Sequence, residues 1–70
     1  MNPAATRAQL SALMRDMTSH WGEIRAEWRD ARGEEFELRY VQPLQTHMTS
    51  ALTALEKLEG IMAKVRRDCE

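Results

Sequence analysis

Two histidines and one cysteine are the side chains of this sequence best suited to metal binding or nucleophilic chemistry. His20 and His47 could bind a metal ion or titrate near neutral pH, but they lie far apart and no third ligand stands near either. Cys69 could form an intermolecular disulfide or act as a reactive thiol, yet no arrangement of His or Lys marks a site that would activate it. We therefore interpret both histidines as solvated or helix-flanking. Cys69 is interpreted as a terminal residue that lies either on the helix contact or in a frayed helix end.

A group of carboxylates lies in the middle of the chain, at Asp30, Glu34, Glu35 and Glu37. A metal or general-acid site would need carboxylates that face each other from different helices. These four instead crowd one predicted helix start, where the positive end of the helix favours acidic side chains. The sequence also has no nucleophile paired with a base, no phosphate loop and no cofactor motif. It therefore predicts a protein that is not an enzyme and has no metal or cofactor.

The composition favours a small helical protein with a protein partner. The 70 residues include 10 basic and 11 acidic side chains, so nucleic-acid binding through a basic excess is not expected. No long apolar run is present, and we expect no membrane insertion and no signal-peptide core. The expected location is the cytoplasm, or the exterior by a route that needs no cleaved leader. One domain of this size gains only ~3–5 kcal/mol from its core, which predicts that residues 1–70 form a single domain stabilised by oligomerisation.

The hydrophobic pattern predicts an all-α fold, a two-helix antiparallel hairpin. Apolar residues recur at alternating steps of four and three, which is typical of helices that pack lengthwise. Helix 1 is predicted over about 3–28, with Asn2 or Thr6 as its cap, and helix 2 over about 31–68, capped by Asp30. The connection of ~2–4 residues makes the helices antiparallel neighbours. Pro43 predicts a kink in helix 2, with a clean break as the alternative.

The apolar positions define the predicted helix–helix interface. Gly22 is expected to permit close helix approach beside Trp21, and Phe36 and Tyr40 are placed on the inner face. Because helix 2 is longer, its tail around residues 58–65 is expected to outrun helix 1, and two hairpins in a four-helix bundle would cover it. The predicted interface residues are Leu10, Met14, Met17, Trp21, Ile24, Tyr40, Leu44, Met48, Leu55, Leu58, Met62 and Val65.

The aromatic residues near the bend have two interpretations. Trp is favoured at the energetic centre of protein interfaces, but a Trp on a heptad face also serves as core. We interpret Trp21 as core. For Trp28, at the end of helix 1, core and intermolecular contact are almost equally supported, with Phe36 closing the bend from the other side.

The stretch from Trp28 through Asp30 to Phe36 resembles the turn of the Trp-X-Gly (WXG) family of small helical hairpins. Trp28 matches the Trp, Asp30 stands at the Gly position, and Phe36 matches the aromatic residue eight positions after the Trp. The family's export signal is an aromatic residue four positions before an acidic one; here Lys64 precedes Asp68 and Arg66 precedes Glu70.

The resemblance implies a substrate, co-substrate or adaptor of a type VII (ESX-like) secretion system, paired as a homodimer or as a heterodimer with a similar hairpin. The alternative is an intracellular structural or assembly module with no export role, which the missing signal favours. A regulatory helical protein is a third hypothesis, but the balanced charge argues against direct DNA contact.

Overall fold

Two helices of unequal length make up the chain. The computed structural model describes residues 2–69, so Glu70 lies outside the described residues. Helix α1 spans Pro3–Glu27, α2 spans Ala31–Phe36 and α3 spans Gln42–Cys69, and a π-helical segment at Glu37–Val41 joins α2 to α3. Backbone angles at both junctions are right-handed helical, so residues 31–69 form one continuous helix, called here the second helix. No strand occurs within residues 2–69, and the all-α prediction is confirmed.

Helix α1 begins where its capping chemistry places it. The Asn2 side chain accepts hydrogen bonds from the Ala4 and Ala5 amides at 3.1 and 3.2 Å. Pro3 follows at the first helical position, where its missing N–H costs nothing. The Thr6 hydroxyl instead donates to the Asn2 carbonyl oxygen at 3.0 Å. Asn2 is therefore the cap, and Thr6 belongs to the first turn.

The connection between the helices is as short as predicted. Trp28, Arg29 and Asp30 separate Glu27 from Ala31, and Asp30 is extended at φ −79° and ψ 176°. The Asp30 carboxylate accepts from the Gly33 amide at 3.0 Å, which confirms the predicted cap. Gly33, whose place the sequence left open, lies in the first turn of α2.

Pro43 does not break the second helix. A helical proline lacks a donor and clashes with the carbonyl four residues back, which is that of Arg39. Arg39 lies inside the π-helical segment, where hydrogen bonds span five residues, such as that from the Gln42 amide to the Glu37 carbonyl oxygen. The wider turn accommodates the proline, so the irregularity precedes Pro43 and the clean-break alternative is wrong.

Helix α1 lies along the second helix with the opposite chain direction. Trp21 bonds Glu37 near the connection, Thr18 bonds Gln45 further along, and Arg7 bonds Glu59 at the far end. The whole structure extends 58 Å along its long axis but only 17 and 13 Å across.

The predicted overhang of residues 58–65 is wrong in its position. Glu59 contacts Arg7, and Met62 and Ala63 line one groove together with Pro3. The reason lies in the connection, because extended residues advance ~3.3 Å each against ~1.5 Å in a helix. The chain therefore passes the end of α1 before α2 begins, and the excess length is divided between the two ends.

The contact between the helices buries little. Val41 is the only buried hydrophobic residue within residues 2–69, at 8% exposure. A Cβ added at Gly22 would meet no neighbouring atom within 4 Å, so the expected close approach there is wrong. The half-buried positions of α3 that follow Val41 along the contact are Gln45, Met48, Leu52, Leu55 and Glu59. Two of these, Gln45 and Glu59, are polar, which leaves the single chain without a continuous apolar core.

Candidate protein-interaction site

The turn residues identified from the sequence lie together. The Trp28 and Phe36 rings are 5.8 Å apart at an interplanar angle of 45°, and Trp21 lies 5.4 Å from Phe36. Trp21 and Trp28 meet edge to face at 6.3 Å, and Tyr40 continues the cluster 5.1 Å from Phe36. Aromatic pairs at these separations add about 0.5–1.5 kcal/mol each beyond the area they bury. The cluster therefore stabilises the connection from both helices.

Gly33 is required where α2 passes the end of α1. A Cβ at this position would lie 2.8 Å from the Trp28 carbonyl oxygen and 3.2 Å from the Trp28 ring. The Arg25 guanidinium donates to the same carbonyl oxygen, and its Nη1 would be 2.7 Å from that Cβ. Close backbone approach, and not an unusual φ, explains the glycine.

Of the three polar contacts between α1 and the second helix within residues 2–69, two involve a charged side chain. The Trp21 indole donates to Glu37 at 2.7 Å, next to the aromatic cluster. Arg7 makes a two-point contact with Glu59, at 2.5 and 3.3 Å, at the other end. The hydrogen bond and the charge of Glu59 raise the pKa of Arg7 above its ordinary value. Because a raised pKa of a cation matters only as the pH approaches it, Arg7 stays charged through the neutral range.

Some of the predicted interface residues are partly covered in the single chain. Met48 and Leu55 belong to the contact positions of α3, whereas Leu58 is half-buried at the edge of the contact. The half-buried members of the predicted set are Leu10, Met14, Met17, Trp21, Met48, Leu55 and Leu58.

The other predicted interface residues are exposed in the single chain. Ile24, Tyr40 and Leu44 are 49%, 56% and 48% exposed, and Met62 and Val65 also lie open. Tyr40 was placed on the inner face with Phe36; the structure instead buries Val41 and leaves both aromatic residues exposed on one side. The π-helical segment changes the register between α2 and α3, and this shift is the reason. As a surface for another molecule, these residues remain a prediction.

Several exposed apolar residues line one groove, whereas Leu38 and Ile61, 56% and 59% exposed, are not among its lining residues. Leu13, Ile24, Tyr40 and Leu44 line a groove of about 620 Å³ between α1 and the second helix, with Asp16 and His20 at its margin. At 100° per residue, Ala51, Leu58, Met62 and Val65 continue the stripe of Leu44 along α3. We call these eight residues the open apolar face: Leu13, Ile24, Tyr40, Leu44, Ala51, Leu58, Met62 and Val65.

The opposite side of the molecule is polar. Gln42, Thr46, Thr49 and Ser50 line a shallow groove there, and a second groove on α1 is lined by Ser11, Thr18 and Ser19 together with Met14 and Arg15. The hydroxyls of Thr46, Thr49 and Thr53 donate to carbonyl oxygens four residues back, at 3.0–3.2 Å. Their donors are thus satisfied within the helix.

The residues with metal or nucleophilic chemistry do not converge. His20 lies at the margin of the apolar groove and His47 is exposed on α3. Cys69 is an exposed free thiol at the end of α3. Asp30 caps α2, Glu35 lies 3.6 Å from Arg39, and Glu37 accepts from Trp21. No group of three His, Cys, Asp or Glu side chains within residues 2–69 could hold a metal ion.

Several contact residues escaped the sequence-based prediction. Val41 was missed because the heptad count passes through Tyr40, and only the π-helical segment brings the next residue inward. Gln45 and Glu59 were missed because a pattern of apolar residues overlooks polar ones in a contact. For Glu59 the available signal was its charge, which is opposite to that of Arg7, but the sequence alone could not place these two residues side by side.

Comparison with protein-family models, curated proteins and solved structures found no match to this chain. Within residues 2–69, no helix combines the length and the apolar character that crossing a membrane requires.

Proposed function

We propose that this chain is a non-enzymatic helical-hairpin protein of the WXG type, which acts through protein–protein interaction as a substrate, co-substrate or adaptor of a type VII-like secretion system. The observation that carries the proposal is the packing of Phe36 on Trp28 across a turn capped by Asp30. The three residues that carry the sequence resemblance thus form one local unit.

The open apolar face supports action through a partner. Large exposed apolar surfaces mark sites that another molecule covers. Here the face runs along both helices, so a second helical hairpin would complete a four-helix bundle, as a homodimer or a heterodimer. At the turn, half-buried Trp28 borders a smaller groove with Arg32 and Tyr40, which offers an aromatic anchor beside a cation.

An export assay tests the proposal. The chain is expressed in a bacterium with a type VII secretion system and in the same strain without the secretion ATPase, and mass spectrometry measures it in the culture medium. We expect ATPase-dependent export. Trp28→Ala should reduce export while far-ultraviolet circular dichroism retains the helical signal, and His47→Ala, on an exposed part of α3, is the matched control. Equal amounts of the chain in the culture media of the strains with and without the secretion ATPase would overturn the export role.

An assembly module without export is the second candidate. The observation that favours it is the basic residues Lys64 and Arg66 at positions where an export signal would have an aromatic side chain. Retention in the cell, together with a stable complex of a defined partner, would support this function. Export that requires a co-expressed hairpin would instead favour the co-substrate role.

A further inference from the structure

We propose that the π-helical segment at residues 37–41 and Pro43 together decide which side of α3 faces α1, and that this register keeps the open apolar face uncovered. A regular α-helix over the same residues would turn that side of α3 toward α1 and hide it within the chain. The inference deepens the proposed function and rests on it only in taking this face as the partner surface. Its evidence and its test concern contacts within one chain.

Two rows of residues on the second helix differ by one position. The contact row is buried or half-buried against α1 and consists of Val41, Gln45, Leu52 and Glu59. The apolar row follows from Phe36 in regular α-helical steps of four and seven and consists of Tyr40, Leu44, Ala51 and Leu58. Each member of the contact row comes one residue after a member of the apolar row, which is ~100° around a helix. The π-helical segment, where the Gln42 amide bonds the Glu37 carbonyl oxygen five residues back, supplies that one residue.

The two rows differ in chemistry. In the contact row, Gln45 bonds Thr18 at 3.3 Å and Glu59 pairs with Arg7. The apolar row has no polar member except the Tyr40 hydroxyl, and further α-helical steps from its end reach Met62 and Val65. A regular α-helix would therefore give the lone chain the more apolar contact and would turn the two polar residues outward. The observed register does the reverse, so a molecule that covers the apolar face favours the π-helical form.

Pro43 accounts for the register that the chain adopts. In a regular α-helix its ring would clash with the Arg39 carbonyl group. Arg39 lies inside the π-helical segment, whose wider turn accommodates the ring. The clash thus destabilises only the α-helical form. Because that form is the one that hides the apolar row, Pro43 keeps the row open.

Leu38 identifies the π-helical segment as an insertion of one residue. It lies inside the segment and is 56% exposed, although it is large and apolar. On either side of it, Phe36 packs on Trp21 and Val41 is buried. Phe36 and Val41 are five residues apart, whereas residues on one side of an α-helix are three or four apart. Removal of Leu38 would place them four apart, so that a regular α-helix would keep both contacts.

Nuclear magnetic resonance of the wild-type chain and three variants tests the proposal. In the wild type, nuclear Overhauser contacts should join Thr18 to Gln45. Pro43→Ala removes the clash, so α3 should turn by ~100° and Thr18 should contact Leu44 instead. Deletion of Leu38 in the Pro43→Ala chain removes the extra residue and should restore the contact between Thr18 and Gln45. Gln42→Ala retains the proline and is the matched control, which should keep the wild-type contact.

Two results would overturn the proposal. A contact between Thr18 and Gln45 that persists in Pro43→Ala would reject the role of the proline. A double variant that does not regain this contact would reject the one-residue offset between the rows. Because these contacts lie within one chain, they are read without a secretion strain: failure of ATPase-dependent export would leave the register assignment standing, and an unchanged Pro43→Ala structure would reject the assignment while leaving the export role untouched.

Discussion

Replacing Gly33 by alanine should destabilise the protein, although alanine is the better helix former. In an open helix the change would stabilise by about 1 kcal/mol. At Gly33 the new Cβ would lie 2.8 Å from the Trp28 carbonyl oxygen, so either α2 or the connection must move. Overpacking of this kind costs about 1–3 kcal/mol. Displacing Arg25 from the same carbonyl oxygen removes a hydrogen bond worth about 1 kcal/mol. The net expectation is a loss of about 2 kcal/mol.

The chain supplies two matched controls for this substitution. Gly22 and Gly60 are exposed helical glycines with no atom within 4 Å of an added Cβ. Gly22→Ala and Gly60→Ala should therefore each stabilise by about 0.5–1 kcal/mol, so the sign of the effect reverses between sites.

Urea unfolding followed by circular dichroism and tryptophan fluorescence measures all three variants. The chain concentration is held constant, because association shifts the apparent stability. A Gly33→Ala variant as stable as the wild type would refute the close approach of Trp28 to α2. A destabilised Gly22→Ala variant would show a contact at Gly22 that the structure lacks.

Further substitutions at four residues, Asp30, Trp21, Glu37 and Leu55, test the turn and the helix contact. Asp30→Ala should cost about 1 kcal/mol through loss of the cap, whereas Asp30→Gly should cost only about a few tenths of that; equal losses would contradict the capping role. Trp21→Phe and Glu37→Ala should show a coupling of about 1 kcal/mol in a double-mutant cycle, since each removes one partner of the same bond; additive effects would argue against that bond. Leu55→Asp should dissociate the assembly and largely unfold the chain, because it places an unpaired charge in the helix contact; an unchanged mass and helical signal would reject this contact.

Some features followed from the sequence because their causes are local. The Asn2 and Asp30 caps satisfy amides two or three residues away, so the residue types alone located the start of the second helix and left Asn2 and Thr6 as the two candidates for the first. The short connection and the absence of strands within residues 2–69 followed from the same spacing of apolar and capping residues. The pairing of Trp28 with Phe36 was expected from a motif only eight residues apart.

Other features depend on how the two helices lie together, and only the tertiary structure decided them. The π-helical segment before Pro43 changed the register, so Val41 faces α1 and Tyr40 faces outward. The extended connection shifted the second helix along α1, which brought Glu59 to Arg7 and moved the predicted overhang. A heptad pattern identifies the apolar side of each helix, but the rotation and axial offset between helices arise from a few backbone angles. Those angles separate the residues that join the two helices from the residues left open to a partner.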